Sequence, residues 1–148
     1  MEISFSKSII GRPKLKQSEQ RVLQILRRMG SGSKADIARA ADLTGTAIGT
    51  IVNSLKKKNL ILSGKKERKG HRGQPATMLH LNPTGAYGIG VRIERTSIQT
   101  VLIDFDGNIL SRFTNEILLP HPERALEIVY NDICSLLDTL DDKAKSSL

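Results

Sequence analysis

The chain has 148 residues, 39% of them hydrophobic and 26% charged, with one Cys, no Trp and only three Phe and two Tyr. That composition excludes a disordered chain and a membrane helix of ~20 apolar residues, and a lone Cys134 excludes a disulfide framework or a Cys-rich zinc site. The net charge of +8 is unevenly spread: residues 1–80 hold 17 Lys/Arg against 5 Asp/Glu, a net of +12, while residues 81–148 hold 6 against 10, a net of −4.

Residues 1–16 are polar and basic, with Gly11-Arg12-Pro13 among them, and are expected to form an arm. The opening Met1-Glu2-Ile3-Ser4-Phe5 lacks the basic-then-apolar plan of a signal peptide, so a cytoplasmic location is expected. From Ser18, the residues Val22, Ile25, Leu26 and Met29 fall at i, i+3, i+4 and i+7 and predict a helix that Gly30-Ser31-Gly32 ends. Ser33, with Asp36 three residues later, predicts a capped second helix whose apolar side is Ile37, Ala38 and Ala41. After the short break at Asp42-Leu43, Thr44 is a good N-cap for a third helix to about Lys58, with Ile48, Ile51, Val52 and Leu55 as its buried stripe. Leu60-Ile61-Leu62 and Thr77 to Leu81 then read as strands flanking a basic, glycine-rich loop over residues 63–75. Three helices and a hairpin, with a tight turn between the last two helices, predict a winged helix-turn-helix over residues 17–82.

Asn82-Pro83-Thr84-Gly85 marks a boundary, where the charge also changes sign. Beyond it Tyr87, Ile89, Val91 and Ile93 alternate as in a strand. Val101-Leu102-Ile103 is apolar on both faces, as in a central strand covered on each side. Asp106-Gly107 signals a hairpin turn, after which residues 108–118 return as a third strand. Leu126, Val129, Ile133, Leu136, Leu137 and Leu140 follow at helical spacing. Residues 83–148 therefore read β-β-β-α, and the chain as α+β.

The charge split points to a polyanion-binding module joined to a part with a different task. Few aromatics argue against single strands and RNA, whose bases stack on Phe, Tyr and Trp, and leave double-stranded DNA as the expected partner. The third helix is the candidate recognition helix. Opposite its apolar stripe lie Thr46, Thr50, Asn53 and Lys57, a small polar face able to enter a major groove about 12 Å wide. Thr46, Thr50 and Asn53 are expected to contact bases, with Ala47 against a thymine methyl and Thr44 and Lys57 on phosphates. In the loop, Lys65, Lys66, Arg68, Lys69 and Arg72 concentrate positive charge that only Glu67 relieves. Arg68, Lys69 and Arg72 suit the adjacent minor groove, and Arg12, Lys14 and Lys16 a further backbone or minor-groove contact. His71, His80 and His121 are scattered, so no metal or cofactor is expected, and Cys134 reads as a packed thiol. Asp104 and Asp106 are explained by turn chemistry rather than as a catalytic pair, and Asp138, Asp141 and Asp142 as a solvated helix end.

Three motifs in order resemble the ROK family of repressors, open reading frames and kinases. Leu43-Thr44-Gly45-Thr46-Ala47-Ile48-Gly49-Thr50-Ile51-Val52 is similar to its helix-turn-helix. Arg72-Gly73-Gln74-Pro75-Ala76-Thr77 with Leu79-His80-Leu81-Asn82-Pro83-Thr84-Gly85-Ala86-Tyr87-Gly88-Ile89-Gly90-Val91 is similar to its joint between domains. Val101-Leu102-Ile103-Asp104-Phe105-Asp106-Gly107-Asn108-Ile109-Leu110 is similar to strands of its sugar-kinase-like domain. The resemblance implies a repressor of carbohydrate-metabolism genes, with a basic arm (1–16), a winged helix-turn-helix (17–82) and a partial actin-like, sugar-kinase-like domain (83–148). ROK kinases carry Asp-x-Gly-Gly-Thr where this chain has Arg92-Ile93-Glu94-Arg95-Thr96, which lacks the glycines for close approach to phosphate and adds a repelling carboxylate. Kinase activity is therefore not expected.

Family repressors run on past the length of this chain, so a sheet of about three strands under one helix is expected to leave apolar surface or an open edge: either that surface is buried in a homodimer, or the sequence is a fragment or a shortened gene product. A sugar effector is not carried over, because the family's effector site lies in the missing part. The rival readings are a non-catalytic interaction module that pairs with a full-length ROK protein, and a sugar kinase remnant.

Overall fold

Helices and antiparallel sheets are both present along residues 14–67 and 75–145, which the computed structural model describes, and the fold is α+β. The chain divides into two units between Gly85 and Ala86. The first contains α1 (Gln17–Met29), β1 (Gly32–Ser33), α2 (Lys34–Ala41), α3 (Gly45–Lys57), β2 (Ile61–Glu67) and β3 (Ala76–Leu81), with the strands in the order β1-β3-β2. This is the winged-helix arrangement.

Local chemistry sets each boundary. Gly30, at φ 71°, ends α1 in a region that non-glycine residues avoid. The Ser33 hydroxyl accepts from Asp36 N at 3.2 Å while the Asp36 carboxylate accepts from Ser33 N at 3.2 Å, a reciprocal cap on α2. Asp42, left-handed at φ 53°, closes α2 with its N–H on the Ala38 and Arg39 carbonyls. Thr44 Oγ1 accepts from Ala47 N and starts α3. The core is Val22, Leu23 and Leu26 of α1, Ile37 and Ala41 of α2, and Ile48, Val52 and Leu55 of α3, closed by Leu60, Ile61, Leu79 and Leu81. Ile25 and Ile51, expected in the buried stripes, are half-buried, and Met29 is exposed.

The joint after β3 is a lock as well as a boundary. Buried Asn82 donates from Nδ2 to Asn59 O at 2.7 Å, and its Oδ1 accepts from Thr84 N and Oγ1. A Cβ on Gly85 would stand 2.5 Å from Asn59 O, so only glycine fits against the turn that follows α3. Two expectations change in this unit. The two-residue β1 is too short to show as a pattern, yet it pairs Gly32 with Leu79 and Ser33 with Met78. The basic loop also begins later than expected, because β2 continues to Glu67 and pairs Lys66 with Thr77 across a bulge after Ser63.

The second unit holds β4 (Tyr87–Ile93), β5 (Ser97–Asp104), β6 (Ile109–Glu116), α4 (Pro122–Asp138) and the short α5 (Asp142–Lys145), with β5 central. Asp104 carries the β5–β6 turn, accepting from Asn108 N at 2.8 Å and Asn108 Nδ2 at 2.9 Å, while Gly107 takes φ 97°. Burial opposes ionisation of this carboxyl, but these bonds win and its pKa lies below the ordinary value. The expectation of cover on both faces of β5 is corrected. Ile98, Thr100, Leu102 and Asp104 are buried on the side where α4 packs, whereas Ser97, Gln99, Val101 and Ile103 on the other side are half-buried. The buried side of α4 is Ala125, Asp132 and Leu136, not Leu126, which is 58% exposed. Asp132 is held there by Thr100 Oγ1 and Asn115 Nδ2, each donating at 2.9 Å. The third strand stops at Glu116 instead of Leu118, and Leu119, at φ 45°, turns the chain away.

Candidate nucleic-acid interface

The buried stripe of α3 fixes the rotation of the helix, and that rotation leaves Thr46, Thr50, Asn53 and Lys57 exposed together on the opposite side. Thr44 is exposed at the N-cap and Ala47 is half-buried beside it. A Cβ added at Gly45 or Gly49 would meet nothing within 4 Å, so the first two turns present a low surface. The Thr44 and Thr50 hydroxyls are polarised in opposite senses. Thr44 Oγ1 accepts from Ala47 N at 3.3 Å and keeps its proton to donate outward. Thr50 Oγ1 donates to Thr46 O at 3.3 Å and keeps lone pairs to accept. The first suits an oxyanion and the second an amino group on a base edge.

Lys65 and Lys66 project exposed from β2. Arg68, Lys69 and Arg72, together with Arg12, lie outside the described residues. Two further cations were missed in sequence. Lys34, at the start of α2, and Lys56, in the last turn of α3, line a groove of about 460 Å³ with Ser33, Ser63 and Thr77. The Lys56 ammonium donates to the Ser63 hydroxyl.

A buried acid was missed as well. Glu19 is 2% exposed and accepts from Lys58 Nζ at 2.9 and 2.7 Å, from Ser54 Oγ at 2.7 Å and from Lys16 N at 2.8 Å. Burial alone would raise its pKa, yet the hydrogen bonds from Lys58, Ser54 and Lys16 N, with the Lys58 charge, lower it to about 2. Its only sequence signal is its place three residues into a helix, where an acid can accept from the N-cap N–H.

In the second unit, residues 92–97 form a turn closed on itself. Arg92 pairs with Glu94, Glu94 N donates to Ser97 O at 2.8 Å, and Ser97 Oγ donates to Glu94 Oε2 at 3.3 Å. Cys134 is half-buried. Among the described residues no three His, Cys, Asp or Glu side chains gather in a way that would hold a metal ion, and no helix is long and apolar enough to cross a membrane.

No family model matches the chain. An uncharacterized protein of Sinorhizobium fredii, y4fQ, is 25% identical over 128 residues, covering 86% of this chain and 32% of that protein. A crystal structure of a ROK family transcriptional regulator, a homolog of the E. coli MLC protein, is 22% identical with a TM-score of 0.58, covering 82% of this chain and 31% of that one. The likeness is one of fold. This chain spans about a third of the length of either relative.

Proposed function

We propose that this chain is a sequence-specific DNA-binding transcription regulator of the ROK repressor type, a repressor of carbohydrate-metabolism genes. The observation that carries the proposal is the exposed face of α3, small, polar and cationic, on a winged-helix unit whose half of the chain has a net charge of +12. In this reading Thr46, Thr50 and Asn53 meet base edges and Ala47 a thymine methyl. Thr44 and Lys57 meet phosphates, and the wing, through Arg68, Lys69 and Arg72, follows the neighbouring minor groove. Binding is to two-fold symmetric sites by a homodimer, with half-sites one or more helical turns apart. The second unit is a non-catalytic, sugar-kinase-like segment. The closed Arg92–Ser97 turn supports that, since its backbone and side-chain groups are already engaged with one another.

The test is selection of duplexes from a random pool, followed by anisotropy titration of the winner. Thr50→Ala and Asn53→Ala are expected to lose about 1–3 kcal/mol of discrimination at one position each. Lys57→Gln is expected to weaken all duplexes alike and to lower the slope of log affinity against log salt by about 0.9. Failure to enrich any duplex at low salt would overturn the proposal.

A further inference from the structure

Lys58 stands apart from the other cations at the end of α3, because its charge is used inside the protein. An ammonium has three protons to donate. Those of Lys58 face three acceptors: both oxygens of Glu19, and Lys14 O at 3.2 Å. Glu19 in turn holds Lys16 N at 2.8 Å and Ser54 Oγ at 2.7 Å. One ion pair, buried at Glu19 and half-buried at Lys58, therefore grips the backbone on both sides of half-buried Leu15, at Lys14 O and at Lys16 N, and joins it to the last turn of α3 through Ser54. The Lys14 and Lys16 side chains, both exposed, leave from that gripped segment.

Two well-packed apolar side chains would join α1 to α3 as firmly, because desolvation offsets much of the attraction in a buried ion pair. They would not hold a carbonyl and an N–H at the entry to α1. Backbone anchoring is what the charged pair adds. We propose that Glu19 and Lys58 are positioning residues: they fix Lys14 and Lys16 beside the end of α3, where both cations meet DNA phosphates, while Lys58 itself makes no contact with DNA. The inference rests on the DNA-binding function proposed above.

The test compares salt slopes of duplex affinity, between about 50 and about 200 mM salt, for the wild type, Lys14→Gln/Lys16→Gln, Glu19→Leu/Lys58→Met and all four changes combined. The Glu19→Leu/Lys58→Met chain keeps the wild-type net charge and leaves no buried charge alone. Removing the two surface lysines is expected to lower the slope by about 1.8, at about 0.9 for each phosphate contact. Glu19→Leu/Lys58→Met is expected to lower it comparably, and the combined chain no further. A purely structural pair would move the melting temperature and leave the slope alone. An unchanged slope in Glu19→Leu/Lys58→Met, or additive losses in the combined chain, would overturn the proposal.

Amine-acetylation footprinting of the wild type needs no variant to fold. Lys14 and Lys16 are expected to be protected by the duplex, and Lys58 to be equally slow with and without it. A Lys58 that reacts freely until duplex is added overturns the proposal while leaving DNA binding intact. A wild type that binds no duplex overturns both.

Discussion

The two units bury their apolar residues to different degrees. In the first, three helices close on a small sheet, and Val22, Leu26, Ile37, Val52 and Leu55 are fully out of water. In the second, a single long helix lies on a three-stranded sheet, and Val91, Ile93, Leu118, Leu119 and Leu126 remain exposed. Geometry accounts for the contrast. A helix about 10 Å across spans roughly two strands spaced about 4.8 Å apart. Accordingly α4 packs on β5 and β6, and Val91, Arg92 and Ile93 at the end of β4 keep their side chains in solvent. Hydrophobic pattern alone specifies a face, and the number of layers decides whether that face is covered.

The largest expected effect contrasts these layers directly. Leu55→Ala, in the closed core, should cost about 2–5 kcal/mol in denaturant unfolding, and Leu126→Ala no more than about 0.5. Equal costs would erase the contrast. Next comes acid. Glu19 has a folded pKa of about 2 against an ordinary 4.5, so its contribution is complete above about pH 4.5 and is lost as pH falls through about 2. Linkage makes that about 3 kcal/mol, visible as a fall in melting temperature over that window, and Glu19→Gln should flatten it. Asp104, whose pKa is also lowered, acts in the same direction in the second unit. The smallest effect compares helix starts. Thr44→Ala removes a bonded cap and should cost about 1 kcal/mol, whereas His121, which makes no side-chain cap bond, should tolerate Ala with little change.

Most elements were legible because apolar spacing and cap residues agree with one another, as at Thr44 and the Ile48, Val52 and Leu55 stripe. Two buried acids were not. Glu19 and Asp132 occupy buried helix positions that a hydrophobic pattern assigns to solvent, and their partners Lys58 and Thr100 lie 39 and 32 residues away in the chain. The length of β2 was hidden for a related reason. Ser63-Gly64-Lys65-Lys66 has the composition of a loop, yet the backbone still pairs with β3 past the bulge. On the candidate interface, the outward residues of α3 followed from helical periodicity. Lys34 and Lys56 did not, since their groove forms only when α2, α3 and the hairpin come together.

The central claim is that the basic winged-helix unit binds duplex DNA through the outward face of α3. The most direct measurement is the anisotropy of a selected duplex titrated with the wild-type chain and with Thr46→Ala/Thr50→Ala/Asn53→Ala over a range of salt. The account predicts affinity that falls linearly in log–log form with salt, and a triple variant that binds with the same salt slope but no longer prefers the selected sequence. A triple variant that keeps the wild-type sequence preference would contradict it.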